Sequence, residues 1–296
     1  MMRLGIDLGG MSAKLGIVEN GAIIKRTTVP TRRDSDYEKI LADLIDAATE
    51  LIDGLPIEGI GIGSPGLINT KSGTVNYSNN IRWSDKPLRD DLAMALKLPV
   101  SIVNDAKAAA LGEAVFGAGK NFSRVAMLTL GTGVGGAFVK DGKLESSSLH
   151  DDASGIFGHL TLYPDGKPCN CGKNGCLEVY CSATAMNEKA ISVLGENSTA
   201  KELFSAAREG DPDAKREIDT FAHDFAIGLS SLGNILRPEI FVIGGGMSKD
   251  ADLFLPYVNE VLKREVYGWD YAPVTAVQAI LGNDAGIIGA AVLNAI

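Results

Sequence analysis

The densest group of side chains able to do chemistry lies in residues 155–178, where His159 is followed ten positions later by Cys169, then by Cys171 and Cys176. These are three of the chain's four cysteines. Thiolate sulfur and imidazole nitrogen are donors that tetrahedral zinc favours, and Cys3His is one of its closed structural sets. Gly172 and Gly175 stand between the second and third cysteines, where the backbone must fold back tightly. Asp165-Gly166 and Pro168 supply turn chemistry before the first cysteine. The alternatives are reduced thiols in an ordinary loop, or a disulfide. A Cys169–Cys171 disulfide would be strained at that separation, and nothing else in the sequence indicates an oxidising compartment. A closed four-ligand site leaves no position for a reactive water. Zinc here is therefore expected to pin a loop and its neighbours, Gly155 to His159 and Glu178. His159 can also be read as a buried core histidine, but its distance from three cysteines favours ligation.

A second group consists of glycine turns. Asp7 is followed by Leu8-Gly9-Gly10, and Gly131-Thr132-Gly133-Val134-Gly135-Gly136 repeats the theme about 120 residues later. Glycines let a phosphate approach backbone N–H groups, which supply positive potential without net charge. Asp7 can hold magnesium through water, since that ion keeps much of its hydration and borrows one or two carboxylates. One such turn would read as a tight hairpin; two, with an acid in the first, favour a nucleotide site. Lys14 either reaches phosphate or is a solvated strand lysine. Asn104-Asp105 is either a helix N-cap or a carboxylate placed to take a proton from a hydroxyl attacking phosphorus, and periodicity does not decide between them. Glu178 carries the same ambiguity at the start of its helix.

The elements that must position these groups follow from periodicity. Residues 3–18 read as strand, glycine turn, strand, with Asn20-Gly21 leading into a third strand, Ala22 to Thr28. Residues 125–144 repeat this grammar, with Asp141-Gly142 as the second hairpin turn, so a duplicated lobe is expected. In Rossmann and P-loop sites the glycine turn opens a helix; here it leads into a strand, which argues against both. After a polar loop at 31–34, Ser35 is expected to cap a helix running through Ile40 to Ile52. Further expectations are a buried strand at 57–63, the turn Ser64-Pro65-Gly66, a loop containing Asn76, Asn79 and Asn80, and a helix at 87–96. A strand at 99–103 then runs into a helix at 106–116. Gly117 to Asn121 reads as a hinge, giving an N-terminal lobe 1–118 completed by a C-terminal helix 284–296, and a second lobe 119–283. Within that lobe helices are expected at 178–195, 199–208, 212–236 and 252–264, with strands at 239–243 and 273–279.

The chain has 296 residues, 45% of them hydrophobic, enough for a large core. A net charge of −9 argues against nucleic-acid binding, which needs a basic face. Phosphorylated ligands must then be held by backbone amides, a metal ion and a few local cations. The first residues lack a signal-peptide plan, and no stretch approaches the ~18 apolar residues of a membrane helix. The expectation is a soluble cytoplasmic protein in which thiols stay reduced.

Taken together the motifs resemble the ROK family of repressors, open reading frames and sugar kinases, within the sugar kinase/Hsp70/actin superfamily. The likeness runs nearly end to end. It rests on Asp7-Leu-Gly-Gly, Ser64-Pro-Gly, Val103-Asn-Asp, Leu130-Gly-Thr-Gly-Val-Gly-Gly, Gly158-His, Cys169-Asn-Cys-Gly-Lys-Asn-Gly-Cys-Leu-Glu and Ile243-Gly-Gly-Gly. The resemblance implies an α/β, two-lobed actin-like ATPase (ribonuclease H-like) fold, with duplicated mixed sheets flanked by helices and a central cleft. It implies a homodimer that phosphorylates a hexose or N-acetylhexosamine with ATP and magnesium, usually on the terminal hydroxymethyl oxygen. Asp105 looks like the general base. Gly66, Asn80, Asn104, Asp105, His159 and Glu178 look like sugar contacts, His159 also serving zinc. Asp7, Gly9, Gly10, Gly131, Thr132, Gly133, Gly245 and Gly246 look like the nucleotide site. Family repressors often carry an N-terminal winged helix, whereas this chain starts at the first strand and resembles the kinase branch.

Two positions depart from the family pattern. Where the family usually has a glutamate gripping sugar hydroxyls near the anomeric carbon, this chain has Ile156. Losing such an acceptor costs about 1–3 kcal/mol. Asp151, Asp152 or His150 are conceivable substitutes. Where the phosphate turn usually has threonine, this chain has Met11, with Ser12 as a neighbouring hydroxyl.

Overall fold

The computed structural model describes residues 1–31, 36–145 and 155–293. The expected cap at Ser35 and the candidate substitutes His150, Asp151 and Asp152 lie outside the described residues. Strand β1 (Met2–Leu8) pairs antiparallel with β2 (Ser12–Glu19), and β2 with β3 (Ala22–Pro30). The Asn20-Gly21 link has φ of 50° and 81°, the double positive φ that a two-residue hairpin turn requires. Helix α1 (Tyr37–Ile52) buries Ile40, Leu44, Ala48 and Leu51 along one face. Strand β4 (Ile57–Ser64) then pairs parallel with β1, and β8 (Val100–Asn104) parallel with β4. The first sheet is ordered β3-β2-β1-β4-β8.

The second sheet uses β9 (Arg124–Leu130), β10 (Val134–Lys140), β11 (Lys143–Leu144), β12 (Ile240–Gly244) and β13 (Thr275–Gln278), ordered β11-β10-β9-β12-β13. Position for position this is the order of the first sheet. The Asp141-Gly142 turn repeats the positive φ pair at 49° and 74°.

By packing, the chain divides into two compact units. One comprises Met1–Asn121, Val139–Ser154 and Leu281–Ile296, the other Phe122–Phe138 and Gly155–Ile280. In the first, helix α3 (Asp105–Phe116) and the C-terminal helix α9 (Ala285–Ala291) lie together against the sheet. Glycines permit this closeness. A Cβ at Gly61 would collide with the Ala290 carbonyl, and one at Gly289 with the Ala108 carbonyl. In the second unit, α6 (Ala200–Glu209), α7 (Pro212–Leu236) and α8 (Leu255–Glu265) enclose an aromatic core. Phe221 and Phe254 meet there edge to face at 5.1 Å between centroids, an arrangement that adds to their area burial.

Three expectations change. The stretch read as an asparagine-rich loop forms a separate sheet of β5 (Leu67–Asn69), β6 (Thr74–Ser78) and β7 (Trp83–Lys86), with Asn76 inside β6. Its strands are too short for a period to stand out, and burial of Ile68, Val75 and Trp83 fixes them. The helix expected at 178–195 is broken into α4 (Glu178–Cys181) and α5 (Ala183–Leu194). Ser182, extended at ψ 162°, caps α5 by accepting from Ala185 N. The helix expected at 252–264 starts at Leu255, after a 3-10 segment Gly246–Leu253, because Pro256 suits a first turn. Helix α2 (Leu88–Leu96) falls where expected.

Candidate active site

In the first unit the parallel strands β1, β4 and β8 deliver Asp7, Ser64 and Asn104 to their carboxyl ends, where Asp7 is in register with Gly63 and Ser64 with Asn104. Carboxyl ends of parallel strands are where open α/β sheets place their ligands. Asp105 is the first residue of α3, with Oδ1 accepting from its neighbour Ala106 N at 2.8 Å. Asn104 does two jobs. Its Oδ1 accepts from Ala106 N and Lys107 N at 3.0 and 3.3 Å, while its Nδ2 donates to the Gly66 carbonyl at 3.2 Å. The capping reading of Asn104 is thus correct, and capping is what sets Asp105 at the helix start.

Asp105 is half-buried, and desolvation pushes its carboxyl above the usual carboxylate range, with the negative charge of Asp7 adding to the rise. Burial likewise raises Asp7, opposed by the Lys14 ammonium 3.8 Å from its Oδ2. Lys14 and Asp7 face each other in the β1–β2 register. A Cβ at Gly286 would stand 2.9 Å from Asp7 Cγ, so the first turn of α9 packs directly on this carboxylate. Asn80 also comes to this turn: a Cβ at Gly10 would lie 3.1 Å from its carbonyl oxygen.

The turn itself depends on Thr31, a residue whose neighbours in sequence mark it only as part of a polar loop. Buried Thr31 donates its N–H to the Met11 carbonyl at 3.0 Å and its hydroxyl to the Gly9 carbonyl. Gly9 N closes the turn onto Ser12 O at 3.0 Å. Met11, 89% exposed, takes no part with its side chain. The available signal was a threonine directly after a strand-ending proline.

In the second unit the Gly131–Gly133 turn is held from several sides. Gly131 N donates to Gly133 O at 3.0 Å, Ala183 N to Gly131 O at 2.7 Å, and Thr184 Oγ1 to Thr132 O at 2.7 Å. Glu178 Oε2 accepts from Val134 N at 2.8 Å, and a Cβ at Gly133 would run into that carboxylate. The starts of α4 and α5 thereby brace the turn. Gly245, at φ 86°, lies against Leu130, where a Cβ would overlap the carbonyl, so the 245–246 turn adjoins the 131–133 turn. Nothing lies within 4 Å of a Cβ built at Gly131 or Gly246, which leaves both backbones open to a ligand.

His159, Cys169, Cys171 and Cys176 converge, with their ligand atoms all within 4.8 Å of one another. His159 Nδ1 is 3.7 Å from Cys169 Sγ, and Cys171 Sγ is 3.5 Å from Cys176 Sγ. Tetrahedral bonds of ~2.3 Å to sulfur separate donors by roughly 3.7 Å, so the set fits zinc. All four cysteines are free. A two-stranded stem leads into the knot: Thr161 bridges Cys176, Leu162 N donates to Gly175 O at 2.7 Å, and Leu177 N to Leu160 O at 2.8 Å. His159 precedes the entering strand and Glu178 follows the leaving one, so the antiparallel register sets both at the same end of the stem. With Nδ1 turned to the sulfurs, His159 keeps Nε2 for another partner. Ile156, 46% exposed, precedes the short turn Phe157–His159.

Paired sheets of one strand order, each carrying a glycine turn, define the actin-like ATPase class of fold. The sequence matches the ROK family over residues 3–295. A glucokinase of Halalkalibacterium halodurans is 36% identical over 314 residues, covering 97% of this chain and 92% of that protein. The crystal structure of a ROK hexokinase from Thermus thermophilus superposes with a TM-score of 0.86 at 33% identity, covering 98% of this chain and 97% of that one. A ROK family glucokinase from Streptomyces griseus, crystallised with glucose and AMPPNP, gives 0.81 at 33% identity, with 98% of each chain covered. This chain belongs to the ROK family.

Proposed function

We infer that the protein is an ATP-dependent hexose kinase that phosphorylates a glucose-like sugar on its 6-hydroxyl. The observation that carries this reading is Asp105, a half-buried, desolvated carboxylate with a raised pKa at the start of α3, beside Asp7. A base that resists ionisation in the resting protein is well matched to accept a proton near neutral pH. The sugar oxygen forms a bond to the γ-phosphorus, the bond to the bridging oxygen breaks, ADP leaves, and Asp105 takes the hydroxyl proton. Gly66, Asn80, Asn104, His159 and Glu178 are assigned to sugar hydroxyls. The 9–10, 131–133 and 245–246 turns are assigned to nucleotide through backbone N–H groups.

One half-screened carboxylate plus nucleotide phosphates suits magnesium, so Asp7 is the residue that would hold it. When bound, the ion neutralises charge on the phosphates. His159, Cys169, Cys171 and Cys176 would hold zinc as a structural staple. A coupled ADP-release assay over hexoses and N-acetylhexosamines tests the activity; a folded, zinc-loaded protein inert towards every sugar would overturn it.

Ile156 favours a second reading, a sugar-binding protein with impaired turnover, or a kinase for an N-acetylhexosamine or fructose. An apolar side chain cannot accept the hydroxyl bonds that a glutamate would. Calorimetric sugar binding without ADP release would select impaired catalysis. We assign the protein to the cytoplasm as a homodimer that binds no nucleic acid; light scattering and a gel-shift with duplex DNA test the last two points. Among the described residues no helix is long and apolar enough to cross a membrane.

A further inference from the structure

Helix α7 contains a carboxylate that the proposed chemistry does not use. Asp224 is 5% exposed, in the interior of a 25-residue helix. Its Oδ1 accepts from the Tyr163 hydroxyl at 2.6 Å. This bond is the chief cause that pushes the Tyr163 phenol up to about 12, so the tyrosine remains the donor across the neutral range. Burying a carboxylate is costly unless its partners justify the place it takes.

Tyr163 belongs to the stem of the cysteine knot. Its N–H donates to Gly175 O at 3.1 Å and its carbonyl accepts from Gly166 N at 2.9 Å. A Cβ at Gly175 would overlap the Tyr163 carbonyl, so the two stem strands are in direct backbone contact. The Tyr163 ring meets Tyr180 edge to face at 5.0 Å, and the Tyr180 hydroxyl accepts from Lys167 N at 2.8 Å. One helical turn after Asp224, Gly228 faces the other stem strand: a Cβ there would lie 2.8 Å from Leu177 Cδ1. Residues i and i+4 share a helix face. One face of α7 thus grips the strand entering the knot through Asp224 and Tyr163, and the strand leaving it through Gly228 and Leu177.

We propose that Asp224, acting through Tyr163, is a positioning residue that fixes the register of the cysteine stem, and with it the places of His159, Cys176 and Glu178. The inference rests on reading the knot as a zinc site and His159 and Glu178 as sugar contacts. The stem is joined by two isolated bridges and a few backbone bonds and belongs to neither five-stranded sheet, so a bond from α7 adds directly to what fixes its register. Van der Waals packing of Leu177 alone tolerates sliding; a short hydrogen bond to a fixed carboxylate does not.

The test uses the full zinc-loaded chain with Tyr163→Phe, Asp224→Leu and Asp224→Asn. Tyr163→Phe and Asp224→Leu each remove the bond. Both are expected to release zinc to a chromogenic chelator at least tenfold faster and to raise the sugar KM about tenfold. The ATP KM should stay within twofold. Asp224→Asn keeps an acceptor oxygen in place and is expected to restore both values to within threefold of the parent. Amide exchange at Leu162 and Gly175 should quicken in the first two variants and not in the third. A lower Tm with zinc release, sugar KM and amide exchange unchanged would overturn the proposal. Failure of the underlying reading looks different: a parent protein without zinc, or without turnover, refutes that assignment, and stem amide exchange alone then decides the role of Asp224.

Discussion

Asp105, the base proposed above, sets a proposed function against stability. Its carboxyl and that of Asp7 titrate above the ordinary range because partial burial desolvates both, and at Asp105 the charge of Asp7 adds to the rise. Between the unfolded carboxylate value of ~3.9 and the raised folded value, the folded protein holds protons that the unfolded chain has lost. Stability is therefore greatest on the acid side of that window, falls as pH rises through it, and stays lower above. Asp105→Asn removes the desolvated charge, so the unliganded protein should melt higher at pH 7, by an amount that shrinks as the pH drops through the window. The same variant should lose roughly 10²- to 10⁴-fold in kcat while still binding sugar by calorimetry. At Ile156 the expectation is reversed. Ile156→Glu supplies an acceptor worth about 1–3 kcal/mol, so the KM for the preferred hexose should fall about 10- to 100-fold. Equal kinetics across the substrate panel would remove Ile156 from the sugar site. Thr31→Val keeps the shape but deletes a donor to the Gly9 carbonyl. A rise in ATP KM of about tenfold with an unchanged sugar KM is the expected signature, and Thr31→Ser should reverse it.

At the scale of elements, close approach decides more than hydrophobicity. Helix α9 reaches the sheet and α3 only because glycines stand at the contacts, and its first turn backs Asp7. Gly289→Ala should destabilise by about 3 kcal/mol or more, as overpacking against backbone does, because the Ala108 carbonyl cannot yield as a side chain would. Melting temperatures of Gly289→Ala and of a control, Gly54→Ala, give the contrast, since nothing lies near a Cβ at Gly54. There only the positive φ of 71° penalises the change. These contacts were illegible in the sequence, which shows Gly289 merely as one glycine in a small-residue helix. The hairpins, by contrast, were legible: Asn20-Gly21 and Asp141-Gly142 are the residue pairs that a turn with two positive φ values selects. The β5–β7 sheet was missed because strands of three to five residues carry too little periodicity.

For the whole molecule, two units with separate cores make a local staple testable as such. Stripping zinc with a strong chelator should speed amide exchange between Leu160 and Cys181 and lower the Tm. Amides of β1 and β4 in the first unit should be unaffected. Uniform loss of protection in both units would contradict a local role. The sequence by itself determined the chemistry and its order along the chain: the Cys-x-Cys and closing cysteine with His159, the paired glycine turns, Asp7, and Asn104-Asp105 at a strand-to-helix junction. Those are local signals, since ligand spacing, turn conformation and capping each involve neighbours within a few residues. What only the tertiary structure decided was how distant residues share one task. Thr31 ties the glycine turn at 9–12, Glu178 braces the one at 131–133, and Asp224 reaches the cysteine stem through Tyr163. Each of those bonds joins residues 22 to 61 positions apart, and no period or motif encodes such a pairing. It arises when burial brings a polar group to a place where one partner alone can satisfy it.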